Sequence, residues 1–184
     1  NLINKEFYLY LGRFHEKKGC EILIKSVKKM KENKKNIFIL MAGPESAYKN
    51  KIKNLSTALN LEGNIFWGDM ILNDLKWGAI SASKAMVLSS HGENFGVSLV
   101  ESLSCYRPVI TTKKVNIYNE IKTSNAGFIS NDNVNSFFNS LRKFDNLKSK
   151  KIKKMNMNSF KCFTKYFDLS KNKNSLTETL LINK

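Results

Sequence analysis

The 184-residue chain is long enough to bury a sizeable core as one domain, and with 42% hydrophobic and 11% aromatic residues it is not a disordered polyelectrolyte despite a net charge of +16. No run of about eighteen apolar residues is present to span a bilayer, and the first residues lack a secretory signal pattern, so a soluble protein is expected. The excess of 31 Lys and Arg over 15 Asp and Glu attracts phosphates, nucleic acid or anionic lipid without choosing among them, and it equally suits a plain solvated surface.

In chain order, Phe7–Leu11 is a short apolar run ended by Gly12, and Lys18–Lys31 places Ile22, Leu23, Val27 and Met30 on one helical face. The unit repeats with Ile37–Met41, closed by Ala42-Gly43-Pro44, and a helix over Tyr48–Leu59 carrying Ile52, Leu55 and Leu59. Asn64–Trp67 reads as a third strand, Leu72–Ala82 as a helix, Ala85–Leu88 as a fourth strand, and Gly96–Ser104 as a helix with Val97, Leu99, Val100 and Leu103 as core. Pro108–Thr111 and Ala126–Ile129 follow as strands, Val134–Phe144 as a helix with Val134, Phe137, Phe138 and Leu141 inward, and the remainder as helical. The Lys-, Asn- and Ser-rich stretch Asp145–Lys154 is the weakest point, but nothing divides residues 1–184 into separate domains.

Unbroken apolar runs alternating with amphipathic helices predict an α/β fold, a Rossmann-like doubly wound parallel sheet of about six strands with helices on both faces and C-terminal helices. Ligands in such sheets bind beyond the carboxyl ends of the strands, at the loops after Leu11, Met41, Trp67 and Leu88.

After the first strand, Gly12 permits a tight exit, and Arg13 and Lys18 offer a planar fork and a point charge that together suit a diphosphate; both equally suit solvated charges. After the fourth strand, Gly96 lets the backbone come close, and the amides of the helix beginning there would point at an anion. Glu93 and Glu101 are eight residues apart, about 80° around a continuous helix, so both can face one ligand and accept hydrogen bonds from hydroxyls. Singly, Glu93 also reads as an acid favoured at a helix start and Glu101 as a surface residue. His15 and His91 have no second His at ligand spacing, no Asp-x-Asp pair is present, and Cys20, Cys105 and Cys162 are widely spaced and odd in number. No metal, disulfide or cofactor is expected, and the setting is reducing and cytoplasmic.

Taken together, Tyr8-Leu-Tyr-Leu-Gly-Arg-Phe-His-Glu-Lys-Lys-Gly19, Met41-Ala-Gly-Pro44, Glu93-Asn-Phe-Gly96 with Glu101, and Arg107-Pro-Val-Ile-Thr111 resemble the C-terminal domain of the family 4 (group 1) retaining glycosyltransferases of the GT-B fold. The resemblance implies that Arg13 and Lys18 stabilise the charge of a departing nucleoside diphosphate and that Glu93 holds hydroxyls of the transferred sugar. These three are the expected catalytic residues. It implies donor contacts at Gly12, Gly43, Gly68, Asn94, Phe95, Gly96, Val97 and Glu101, the last on the ribose. The substrate implied is a nucleotide-diphosphate sugar, of UDP or GDP, transferred without a metal to a saccharide or lipid-linked acceptor in surface polysaccharide or glycolipid synthesis. The family's acceptor site lies in an N-terminal domain outside these residues, so donor binding with little turnover is expected of the chain alone. Thr112–Glu120 departs from the Gly-rich loop of many members, so contacts there are not carried over. The basic surface also suits peripheral contact with an anionic membrane at its cytoplasmic face. Competing readings are another GT-B enzyme, such as a nucleotide-sugar epimerase, or a basic nucleic-acid or anionic-surface module; the resemblance predicts no nucleic acid partner.

Overall fold

A computed structural model describes Leu2 and residues 4–170 of the protein. Six strands, β1 (Phe7–Leu11), β2 (Phe38–Ala42), β3 (Ile65–Gly68), β4 (Ala85–Leu88), β5 (Val109–Thr112) and β6 (Gly127–Ser130), form one sheet in the order β3-β2-β1-β4-β5-β6. Every neighbouring pair is parallel, with Leu9 opposite Leu40 on one side and Met86 on the other. Strands buried on both faces need apolar residues at consecutive positions, because alternation would turn every second side chain into a covering helix. Leu9, Tyr10, Ile39, Met41, Met86, Val87, Val109 and Ile110 are accordingly all removed from solvent.

The helices are α1 (Cys20–Glu32), α2 (Ala47–Ala58), α3 (Asn73–Ala82), α4 (Val97–Ser104), α5 (Tyr118–Thr123), α6 (Val134–Asp145) and α7 (Ser149–Tyr166). Helix α1 packs against α2 and α6, and α4 packs against α3 and α7. The expected face of α1 is the buried one, extended by Ile24, and so is that of α6, extended by Phe144, except that Val134 is only partly buried. On α2 only Ile52 of the expected apolar set is fully buried, with Leu55 and Leu59 packed partly against the core. Ser46 and Asn133 accept from backbone amides at the starts of α2 and α6 and so satisfy two of the donors that a helix leaves open.

Two expectations are corrected. Helix α1 begins at Cys20 and not at Lys18, because a 3-10 turn over Glu16–Lys18 ends at Gly19 in the left-handed conformation and redirects the chain. Helix α4 begins at Val97, with Gly96 as its left-handed cap. The helical reading holds through the Lys-rich stretch: α7 runs unbroken from Ser149 to Tyr166, with Ser159 and Cys162 buried and Phe160 stacked on Tyr106 at 4.2 Å. The segment after β5 also carries the short helix α5, unassigned from sequence, of which only Ile121 is buried. The helical expectation for residues 171–184 lies outside the described residues. No helix among the described residues is long and apolar enough to cross a membrane.

Candidate functional site

The strand order reverses between β1 and β4, and the loops leaving these two strands meet there. The β1 loop is anchored by its aromatic residues. Tyr10 is buried and donates its hydroxyl to the Arg13 carbonyl at 2.9 Å; burial raises its pKa far above that of a free tyrosine. Phe14 is buried against Tyr10 and Trp67. With Phe14 held inward, its neighbour Arg13 stays exposed, and among the described residues its guanidinium has no partner.

The two loops are then stitched together. The His91 amide and the Ser90 hydroxyl both donate to the Lys17 carbonyl, at 2.8 and 2.7 Å, and Ser89 Oγ donates to the Gly19 carbonyl at 2.7 Å. Thr112 Oγ1 at the end of β5 donates to the Ser90 carbonyl at 2.5 Å. His15 Nδ1 accepts from the Lys17 amide at 3.2 Å and caps the 3-10 turn, and His91 Nδ1 lies 2.7 Å from Asp132. Both histidines are therefore engaged in holding loops.

A cavity of about 370 Å³ opens at this junction. Arg13, Lys18, Glu93 and Glu101 all line it, with Gly12, Gly43, Gly96 and Val97. Lys18 and Glu93 form an ion pair across the two loops. Asn94 lines a neighbouring cavity that shares Arg13, Lys18 and Glu93. Gly68 and Phe95 do not line the main cavity: the Gly68 carbonyl is taken by Lys49, and the Phe95 ring is 46% exposed and meets Phe167 edge to face. The core assignment of Val97 is corrected, because at 62% exposure it occupies the first position of α4, turned to the cavity mouth.

Three contributors were not foreseen. Lys49, only 1% exposed, donates to the carbonyls of Gly43 and Gly68 at 3.0 and 2.9 Å, pairs with Glu45 at 2.5 Å, and lies 5.3 Å from the centre of the Phe14 ring. One buried ammonium thus ties the loops after β1, β2 and β3, and its hydrogen bond lowers the Glu45 pKa. Lys76 on α3 donates to Glu101 Oε1 at 2.7 Å. The segment after β5 fixes Glu93 from behind: the Glu93 amide donates to the Lys114 carbonyl and the Asn116 amide donates to the Glu93 carbonyl, both at 3.0 Å. A Lys-rich chain hides Lys49 and Lys76 among ordinary surface cations; the only signal for Lys49 was its position four residues after Glu45 beside the Gly43-Pro44 turn. Pro44 and Met70–Leu72 supply the apolar wall opposite α4. Among the described residues no group of three or more His, Cys, Asp or Glu is placed to hold a metal ion.

The family model described as "Glycosyl transferases group 1" matches residues 2–161. An uncharacterized glycosyltransferase of Methanocaldococcus jannaschii is 33% identical over 113 residues, 61% of this chain and 27% of that protein. The sucrose-phosphate synthase of Thermosynechococcus elongatus superposes with a TM-score of 0.85 at 19% identity, over 98% of this chain and 47% of that one. The Anabaena HepE protein, solved with UDP-glucose, superposes with a TM-score of 0.83 at 19% identity, over 97% of this chain and 49% of that one. The chain therefore spans less than half the length of each of these proteins, and the two structural likenesses concern the fold.

Proposed function

The chain belongs to the group 1 glycosyl transferases, its fold is the Rossmann-like domain of the C-terminal half of GT-B enzymes, and we propose that it holds the nucleotide-diphosphate sugar of a retaining sugar transfer. The observation that carries this is the convergence of Arg13, Lys18, Glu93 and Glu101 on one cavity at the switch point of the sheet. In this role Arg13 and Lys18 take the diphosphate, joined by the amides that open α4, and stabilise it more strongly as it gathers charge on leaving. Glu93 accepts hydrogen bonds from hydroxyls of the transferred sugar and Glu101 from the ribose. Gly12, Gly43 and Gly96 let backbone approach the donor and Pro44 and Met70–Leu72 flank the base, Asn94 faces the diphosphate from the adjoining cavity, and Gly68 and Phe95, outside the lining, take no direct part. The bond from the anomeric carbon to the phosphate oxygen breaks as a bond to the acceptor oxygen forms on the same face, and the acceptor proton passes to the departing phosphate.

The structure of HepE with UDP-glucose supports UDP as the nucleotide. The acceptor, a saccharide or lipid-linked saccharide in polysaccharide or glycolipid synthesis, is met by a domain beyond these residues, so the chain alone binds donor with little turnover. The exposed lysines Lys150, Lys154, Lys161 and Lys165 on α7 favour contact with an anionic membrane; co-sedimentation with anionic vesicles that is lost as salt rises is the expected result, and no binding at low salt would remove this part.

Calorimetry with UDP, GDP, ADP and their sugars tests the donor role. Binding of one nucleoside diphosphate that weakens at least about tenfold in both Arg13→Ala and Lys18→Ala is expected. Unchanged affinity in the two variants would refute the site.

A further inference from the structure

Helix α3 sits on the site with little to hold it. Of its ten residues only Ile80 is buried, while Leu75 and Trp77 are 74% and 42% exposed. Its N-terminal half nevertheless continues directly from Met70–Leu72, the apolar wall of the cavity. The polar tie from this half of α3 to the opposite wall is Lys76, which donates to Glu101 Oε1 on α4 at 2.7 Å. Both side chains are about three-quarters covered, at 25% and 22% exposure, and both line the cavity. The Lys76 ammonium also lies 4.6 Å from the centre of the Trp77 ring, which restricts the lysine in turn.

A glutamate on a helix has three rotatable bonds, and a carboxylate that must meet two adjacent hydroxyls loses that freedom on binding. Lys76 removes part of it beforehand. A carboxylate presents about four acceptor positions on two oxygens, so one hydrogen bond from Lys76 fixes its plane and leaves the rest for a ligand. Resting on the donor role proposed above, we propose that Lys76 is a positioning residue that holds the Glu101 carboxylate for a ribose diol, and so makes the site select ribonucleotides over their 2′-deoxy counterparts. With Lys76 in place, a nucleotide lacking one hydroxyl leaves a partly desolvated carboxylate oxygen without a donor. Without Lys76, the carboxylate turns to solvent, and the second hydroxyl counts for little.

The test is calorimetry with UDP and 2′-deoxy-UDP, and in parallel GDP and 2′-deoxy-GDP, on the wild-type chain, K76M and K76R. The wild type is expected to favour the ribonucleotide by roughly tenfold or more, as for a hydrogen bond to a charged group. K76M reduces the ratio below roughly threefold by weakening the ribonucleotide alone, and K76R, which keeps a donor to Glu101, restores it. A lysine that merely pinned α3 to α4 would weaken both nucleotides equally and leave the ratio unchanged; that result overturns the proposal, as does equal binding of the two by the wild type. If K76M does not fold by thermal melting, K76L, which likewise has no donor for Glu101, carries the same readout. Failure of the wild type to bind any nucleoside diphosphate overturns the donor role itself and this proposal with it, whereas Arg13-dependent binding with an unchanged ratio in K76M overturns this proposal alone.

Discussion

Gly19 and Ser89 pack backbone to backbone: a Cβ added to Gly19 would lie 2.0 Å from the Ser89 carbonyl oxygen, while Ser89 Oγ donates to the Gly19 carbonyl at 2.7 Å. Gly19 also has φ +63°, a conformation that costs any other L-residue about 1–2 kcal/mol before the clash is counted. Gly19→Ala must therefore push the loop after β1 away from β4. We expect a loss of at least about 2 kcal/mol in urea unfolding, together with weakened nucleotide binding, because Arg13 and Lys18 ride on that loop. A variant with native stability would mean that the two loops separate freely.

Lys49→Met keeps the shape of a buried side chain and removes its charge. The buried Gly43 carbonyl then loses its side-chain donor, and the Gly68 carbonyl keeps only the long bond from the Gly43 amide at 3.4 Å. The expected cost is on the order of 2–4 kcal/mol, read as a lower Tm, and the nucleotide Kd rises because the loops after β2 and β3 are no longer tied. Retention of both stability and affinity would show that the buried ammonium is dispensable.

Glu93→Gln should separate the two ends of the donor. In the free protein the Lys18 ammonium is engaged by Glu93, so a diphosphate has to draw it away. Glutamine keeps the shape but lacks the charge, so nucleoside diphosphate alone should bind several-fold tighter, while the added affinity of the sugar-bearing donor over the bare diphosphate falls. Weaker binding of the bare diphosphate would count against the exchange of Lys18 between the two anions.

Alkaline pH should unfold the protein early. Burial pushes the Cys20 thiol up to about 11 and the Tyr48 phenol up to about 12, and raises Tyr8 and Tyr10 further. The unfolded chain gives up these protons from about pH 8.5 for the thiol and about 10 for the phenols. Over that interval the native state holds more protons, so stability is full below it and falls as pH rises towards the folded values. A flat Tm from pH 6 to 8 and a steady decline above about pH 9 are expected. At pH 8, alkylation followed by mass spectrometry should label the partly exposed Cys105 well before the buried Cys20.

The strands were legible within a residue or two because a two-sided buried strand is an unbroken apolar run, a signal that Ile39–Met41 or Met86–Leu88 carries unaided. Helix α5 was not, since six residues with one buried side chain make no period. The stretch 148–154 was the weakest point because its one apolar residue, Ile152, gave no hint that Ser159 and Cys162 further along would pack inward. In the site, Arg13, Lys18 and Glu93 were legible because they lie in the loops beyond the carboxyl ends of β1 and β4, and Glu101 because its spacing from Glu93 on the following helix turns it to the same ligand. Lys76 acts on a carboxylate 25 residues away, and Lys49 ties the nearby Gly43 carbonyl to that of Gly68, 19 residues on, so the crossing of the chain in space is what sets both apart from other lysines. Val97 deceived because an apolar residue at the first position of a helix continues the core pattern in sequence while its side chain faces the cavity.

The place of β1 at the middle of the sheet bears on the order in which the molecule assembles. Its partner on one side, β2, is close in sequence, but the other, β4, arrives only after β3 and α3 have been made. Until then a growing chain carries β1 with a row of unpaired amides and carbonyls along an apolar edge, a template for pairing with the wrong strand. The ligand cavity, built from the loops of those same two strands, comes into being only when that edge closes, so truncations ending before Leu88 should aggregate rather than yield a smaller binding unit.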